Sequence, residues 1–172
     1  DLVVLSADMR EYIRFSKMAR EIYEKYTDQI EPFGLDESWL DVTGSVGLFG
    51  SAVSIAEEIS ERIKFELGIT VSIGVSDNKI TAKLGSDYKK PDAITRIEQD
   101  NYKEIVYPLS AADLLYVGPA TERKLRGVGI YTIGQLAEAS PKLLEYKLGK
   151  MGLVLHTFAN GLDVSPVQRS DH

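Results

Sequence analysis

Between residues 51 and 67 the apolar side chains Val53, Ile55, Ala56, Ile59, Ile63, Phe65 and Leu67 recur with acids between them, and Gly68 follows. That spacing predicts an amphipathic helix stopped by a C-terminal glycine. The same reasoning predicts a helix from a cap at Asp8 to about Tyr26, with Ile13, Ala19, Ile22, Tyr23 and Tyr26 roughly at helical spacing. Shorter stretches alternate or run apolar, as strands do: residues 2–5, 30–35, 37–43, 69–75 and 93–97. Gly34 offers a bend between the second and third, so these two read as a hairpin. Ser76 is the expected cap of a further helix over residues 77–89, which Pro91 ends.

The order strand, helix, strand, strand, helix, strand, helix, strand predicts an α+β fold, a ferredoxin-like mixed or antiparallel sheet with helices on one face. From Gln99 onward short helical patterns are punctuated by Pro108, Gly118, Pro119, Gly127, Gly129, Gly134, Pro141, Gly149, Gly152 and Gly161, which predicts a small all-helical domain. The expected boundaries are 1–97 and 98–165, with 166–172 opening a linker. At 172 residues the chain can bury a real core. It has no cysteine, which excludes disulfides and thiolate metal sites, and no apolar run approaches a bilayer span, so a cytoplasmic protein without a membrane partner is expected. It starts at Asp1 inside an apolar run without an initiator methionine, which reads as a segment of a larger protein.

Charge changes the picture by being uneven. Residues 1–76 carry 7 basic and 14 acidic groups, whereas residues 77–172 carry 13 and 12. Within the second half, residues 115–152 hold 6 basic and 3 acidic groups. The acidic and the mildly basic ends therefore call for different partners.

The acidic end contains adjacent carboxylates, Asp36 and Glu37, at the start of an apolar strand. Neighbouring strand side chains point to opposite faces, so these two can share an ion only if the backbone bends, as Gly34 permits. Hard oxygen donors suit Mg²⁺, which keeps waters and takes carboxylates together with substrate phosphates. Two such ions about 3.5 to 4 Å apart hold both oxygens of a phosphoryl transfer. A solvated acidic edge explains the pair without any ion; Asp41 shares a strand face with Glu37 by period-two counting, and an edge acid that blunts aggregation explains it equally well. In the next helix Lys79 and Lys83 sit one turn apart, and Lys90 precedes Pro91, which restricts its backbone. Lysines there suit phosphate, or are simply a wet helix face.

Three ordered segments, DESWLDVTGS, SIGVSDNKITAKLGSDYKKPDAI and LLYVGPATERKLRGVGIYTIGQLA, together resemble the Y-family translesion DNA polymerases of the DNA polymerase IV type, and the likeness runs through nearly the whole chain. The resemblance implies a palm over 1–97 and a helical thumb with a helix-hairpin-helix over 98–165. It implies that Asp36 and Glu37 are catalytic and bind two Mg²⁺ ions, for which Mn²⁺ can substitute, and that Lys90 contacts the triphosphate of an incoming dNTP. It further implies that Lys83, Val117, Gly118, Ala120, Thr121 and Lys124 contact DNA. Implied partners are primer-template DNA, a dNTP and a sliding clamp reached through a C-terminal region.

The chain also departs from that pattern. Tyr116 stands where the hairpin usually has its first glycine, and Gly34 where a serine is common. The family's first metal-binding aspartate and its fingers domain have no counterpart, so the segment alone is expected to be inactive or nearly so. Two further readings stay open: a non-catalytic DNA-binding relative of these polymerases, and a ferredoxin-like nucleotide cyclase. Cyclases with an acidic pair on a hairpin place two glycines directly before the acids, whereas here Leu35 intervenes.

Overall fold

Asp8 opens the first helix as its side chain leads one to expect: it accepts from the Arg10 N–H at 3.0 Å, and α1 runs Met9–Tyr23. The computed structural model describes residues 2–169; Asp1 and residues 170–172, the end of the expected linker, lie outside the described residues. Described residues up to Val71, together with 167–169, form one compact unit, and Ser72–Pro166 form a second.

In the first unit α1 is followed by β1 (Ile30–Phe33) and β2 (Glu37–Leu40), an antiparallel hairpin in register Ile30↔Leu40 and Phe33↔Glu37. Gly34 takes φ +76°, the bend the sequence predicts. The short helix α2 (Val46–Phe49) precedes α3 (Ala52–Arg62), which Ser51 caps by accepting from the Ser54 N–H at 3.1 Å. Ile22, Tyr26, Ile30, Ile55, Ala56, Ile59 and Ile63 form the buried interior of this unit. After Arg62 the helix widens into a π turn over Ile63–Leu67 and stops at Gly68 with φ +69°. Phe65, expected on the apolar face, is 80% exposed: two residues after buried Ile63, it points to the opposite side of the helix. Residues 2–5 form no strand; they lie exposed, and neither ladder among the described residues takes up their backbone groups. Residues 168 and 169 return to this unit: the Gln168 N–H donates to Glu31 Oε2 at 2.7 Å, and Arg169 Nη1 to Asp28 Oδ2 at 3.1 Å.

In the second unit β3 (Ile73–Val75) pairs in parallel with β4 (Ile94–Arg96), and α4 (Lys79–Tyr88) makes the crossover between them. The cap of α4 is Asn78, two residues later than expected. Its side chain accepts from the Thr81 N–H at 2.9 Å from an extended backbone, and its amide also donates to the Gly161 carbonyl at 3.1 Å. Helix and strand meet at backbone distance, since a Cβ on Gly74 would lie 1.8 Å from the Ala82 carbonyl oxygen. The helical part comprises α5 (Tyr102–Val106), α6 (Pro119–Arg126), α7 (Ile133–Glu138), α8 (Pro141–Leu148) and α9 (Lys150–Ala159). A capping box starts α7, with Thr132 and Gln135 satisfying each other's backbone. Ile80, Leu84 and Ile97 share one buried cluster with Val106, Leu114, Leu125, Ile133, Leu136, Leu144 and Leu155, so the crossover packs on the helices. No helix among the described residues is long and apolar enough to cross a membrane.

Candidate functional site

The acidic pair sits at the tip of the β1–β2 hairpin. Asp36 is the last residue of the three-residue turn and is exposed; Glu37 opens β2 opposite Phe33 and is half-buried. The left-handed Gly34 that makes the bend lies two residues before Asp36. Both side chains are hard oxygen donors, fitting a divalent cation that keeps most of its own waters. Among the described residues no group of three or more His, Cys, Asp or Glu side chains could hold a metal. Asp41 serves the local backbone instead, its Oδ1 accepting from the Thr43 N–H at 2.9 Å in an Asx turn just after β2. Hydrogen bonding from Thr43, through side chain and backbone, holds its carboxyl below the usual carboxylate range. Trp39, the aromatic of this motif, packs against Phe33 with ring centroids 4.9 Å apart.

The lysines of the second unit are brought together by a residue the sequence reading did not single out. Asp87, in the last turn of α4, accepts from Lys83 Nζ at 2.7 Å through Oδ2 and from Lys90 Nζ at 2.6 Å through Oδ1. Burial works against the ionised carboxyl, but the hydrogen bonds and charge of Lys83 and Lys90 outweigh it, and its pKa is lowered. The signal was present in the spacing, since Asp87 lies four residues after Lys83 and three before Lys90. Lys79 turns elsewhere, donating to the Pro166 carbonyl at 3.4 Å. Lys90 is joined to Pro91 by a cis peptide bond.

The third element is the turn into α6. A helical turn over Ala111–Asp113 leads through Leu114 and Leu115 to Tyr116, which takes φ +72°, a glycine-like backbone at the position where the resemblance expects glycine. Val117 is buried and anchors the hairpin from within. Gly118 then begins α6 without a capping side chain, and Pro119 fills the first helical position. The first-turn N–H groups of Ala120 and Thr121 lack intrahelical partners, and no described residue accepts from them. A Cβ on Gly118 would meet nothing within 4 Å, and its φ of −81° is open to any residue. The fold itself does not demand glycine there; an approaching ligand would. Arg123 and Lys124 are exposed on the same helix, while Arg126 is held by Glu122 at 2.8 Å and lies over the Tyr131 ring. Outward amides beside exposed cations suit phosphate oxygens and carry no base information.

Residues 1–87 match the model of the impB/mucB/samB family, and residues 112–163 match that of the DNA polymerase-iota thumb domain. The chain is 55% identical over 170 residues to DNA polymerase IV of Acetivibrio thermocellus, which covers 99% of this chain and 43% of the relative. It is 41% identical over 172 residues to DNA polymerase IV of Clostridium kluyveri, covering 100% of this chain and again 43% of the relative. Among solved structures, DinB from Sulfolobus solfataricus superposes with a TM-score of 0.85 at 28% identity, covering 97% of this chain and 50% of that one. The chain thus spans about half the length of the relatives it matches, or somewhat less.

Proposed function

This chain belongs to the impB/mucB/samB family, and from that premise we propose that it is the palm-and-thumb part of a template-directed DNA polymerase of the translesion type. The palm runs over 1–97 and the thumb over 98–165, a division that the two matched ranges support. Asp36 and Glu37 would hold Mg²⁺, with Mn²⁺ as substitute, and when bound the ions supply charge stabilisation to nucleotidyl transfer at a primer 3′ end. Lys90 meets the triphosphate of the incoming dNTP, and Lys83 adds a second cation nearby in the chain. Val117 and Gly118 shape the hairpin, Ala120 and Thr121 donate backbone N–H groups to a DNA phosphate, and Lys124 adds charge. As a two-carboxylate donor set, the isolated segment extends a primer barely or not at all. Recruitment by a sliding clamp would use the part of the relatives' length that this chain does not span.

The observation that carries the reading is the open space at Gly118, at the start of an uncapped helix. Gly118→Ala should lower the thermal unfolding temperature by only a few degrees, the cost of replacing a capping glycine, because the added Cβ meets nothing within 4 Å. Affinity for duplex DNA should fall about tenfold or more, as the side chain occupies the phosphate's approach. Unchanged DNA affinity would remove the hairpin from the interface. In the complete polymerase, Asp36→Asn should lower nucleotide incorporation by about 10³-fold while duplex binding persists. Incorporation surviving that change would favour a non-catalytic relative.

A further inference from the structure

We infer that Asp87 is a positioning residue for the nucleotide tail: its two carboxylate oxygens each hold one ammonium, Lys83 and Lys90, so that a triphosphate meets Lys90 already placed. The inference rests on the reading above in which Lys90 contacts the triphosphate.

Position argues that this is more than an incidental surface ion pair. Asp87 lies in the last turn of α4, where the helix dipole disfavours a carboxylate and favours a lysine, so the acid is locally costly. Its order with respect to Lys83, acid after base along the helix, is also the weaker of the two i,i+4 arrangements. The carboxylate has its compensation in the two lysines. Lys90 lies beyond the helix end, so the Asp87–Lys90 contact at 2.6 Å ties the following loop back to α4 rather than decorating a helix face. Lys83 is the more enclosed partner, its side chain 17% exposed against 54% for Lys90. One cation is thus built into the element, and the other reaches outward from it.

A lysine side chain loses rotamer freedom when it is fixed. Asp87 imposes that ordering on Lys90 before any substrate arrives. An ammonium has three donors, and the one given to Asp87 leaves two for other acceptors. The triad keeps a net positive charge, so the carboxylate orders the lysines without cancelling their attraction for phosphate.

The test is single-nucleotide incorporation by the complete polymerase on a primed template, with dNTP concentration varied, for Asp87→Asn, Asp87→Glu, Lys90→Ala and the Asp87→Asn/Lys90→Ala pair. Lys90→Ala should raise KM for dNTP about tenfold or more. Asp87→Asn should raise KM about three- to tenfold with kcat changed less than about twofold, and Asp87→Glu should recover part of the loss. On the Lys90→Ala background, Asp87→Asn should add less than about twofold. An unchanged or lower KM for Asp87→Asn, beside a raised one for Lys90→Ala, overturns the inference and leaves the nucleotide role of Lys90 standing. Fully additive effects also overturn it, because Asp87 would then act apart from Lys90. If Lys90→Ala leaves KM unchanged, the underlying reading of Lys90 falls, and this one with it. Should Asp87→Asn lower the melting temperature, Asp87→Glu and the coupling to Lys90 still decide, since general instability predicts no dependence on Lys90.

Discussion

Asp41 shows how one side chain changes meaning between sequence and structure. By period-two counting it shares a strand face with Glu37 and looked like either a third acid of that face or an edge charge. In the structure its Oδ1 accepts from the Thr43 N–H two residues on, an Asx turn that leads into the Thr43–Ser45 helical turn. Because its folded carboxyl ionises at lower pH than the unfolded one, it adds stability above about pH 4 that fades as the pH falls through the folded value. Its exposure keeps the charge part small. Asp41→Ala should cost about 1 kcal/mol at pH 7, the worth of one hydrogen bond, and flatten the acid limb of stability, read from urea unfolding at pH 7 and pH 3. Tyr116 is the reverse case: the sequence marked it as out of place, and its φ of +72° keeps the shape a glycine would have given. Asp87 stands at bridging distance from both lysines along the chain, but spacing alone does not say that one carboxylate holds both ammonium groups.

At the scale of elements, the hairpin around Gly34 and the helices starting at Asp8 and Ser51 were legible, because a cap or a glycine sits at each boundary. The start of α4 was not, since Ser76, Asp77 and Asn78 are all good caps and only the backbone geometry chooses among them. Strand 69–75 shortened to β3 because a ladder needs a partner, and β4 offers one only for Ile73–Val75. The π turn after Arg62 leaves no mark on the hydrophobic period before it. Close crossings were equally hidden. A Cβ on Gly152 would lie 2.2 Å from the Leu144 carbonyl oxygen, and one on Gly74 1.8 Å from that of Ala82. Both neighbours are backbone and cannot step aside. Gly74→Ala and Gly152→Ala should each destabilise their unit by about 3 kcal/mol or more, measured by urea unfolding, whereas Gly44→Ala, with nothing within 4 Å, should stay within about 0.5 kcal/mol.

For the whole molecule, the uneven charge fits the proposed division of roles, a carboxylate pair in the acidic first half and phosphate contacts in the second. Since those contacts release counterions, duplex affinity should fall steeply with salt. Lys124→Ala should reduce the slope of log K against log salt by about 1 and weaken all sequences alike, measured by titration at several salt concentrations. A slope unmoved by that change would take Lys124 out of the contact. The three motifs were legible because each joins a glycine or proline to a charge at fixed spacing. The division into compact units was not, because hydrophobic period reports local structure and says nothing about which distant segments share an interior.

Gln168 and Arg169 close the first unit by bonding Glu31 and Asp28. Everything from Ser72 to Pro166 therefore intervenes between two parts of one body. On a ribosome, these two bonds can form only after the intervening body has been made. A chain stopped short of them would be born with an untied seam beside the acidic hairpin.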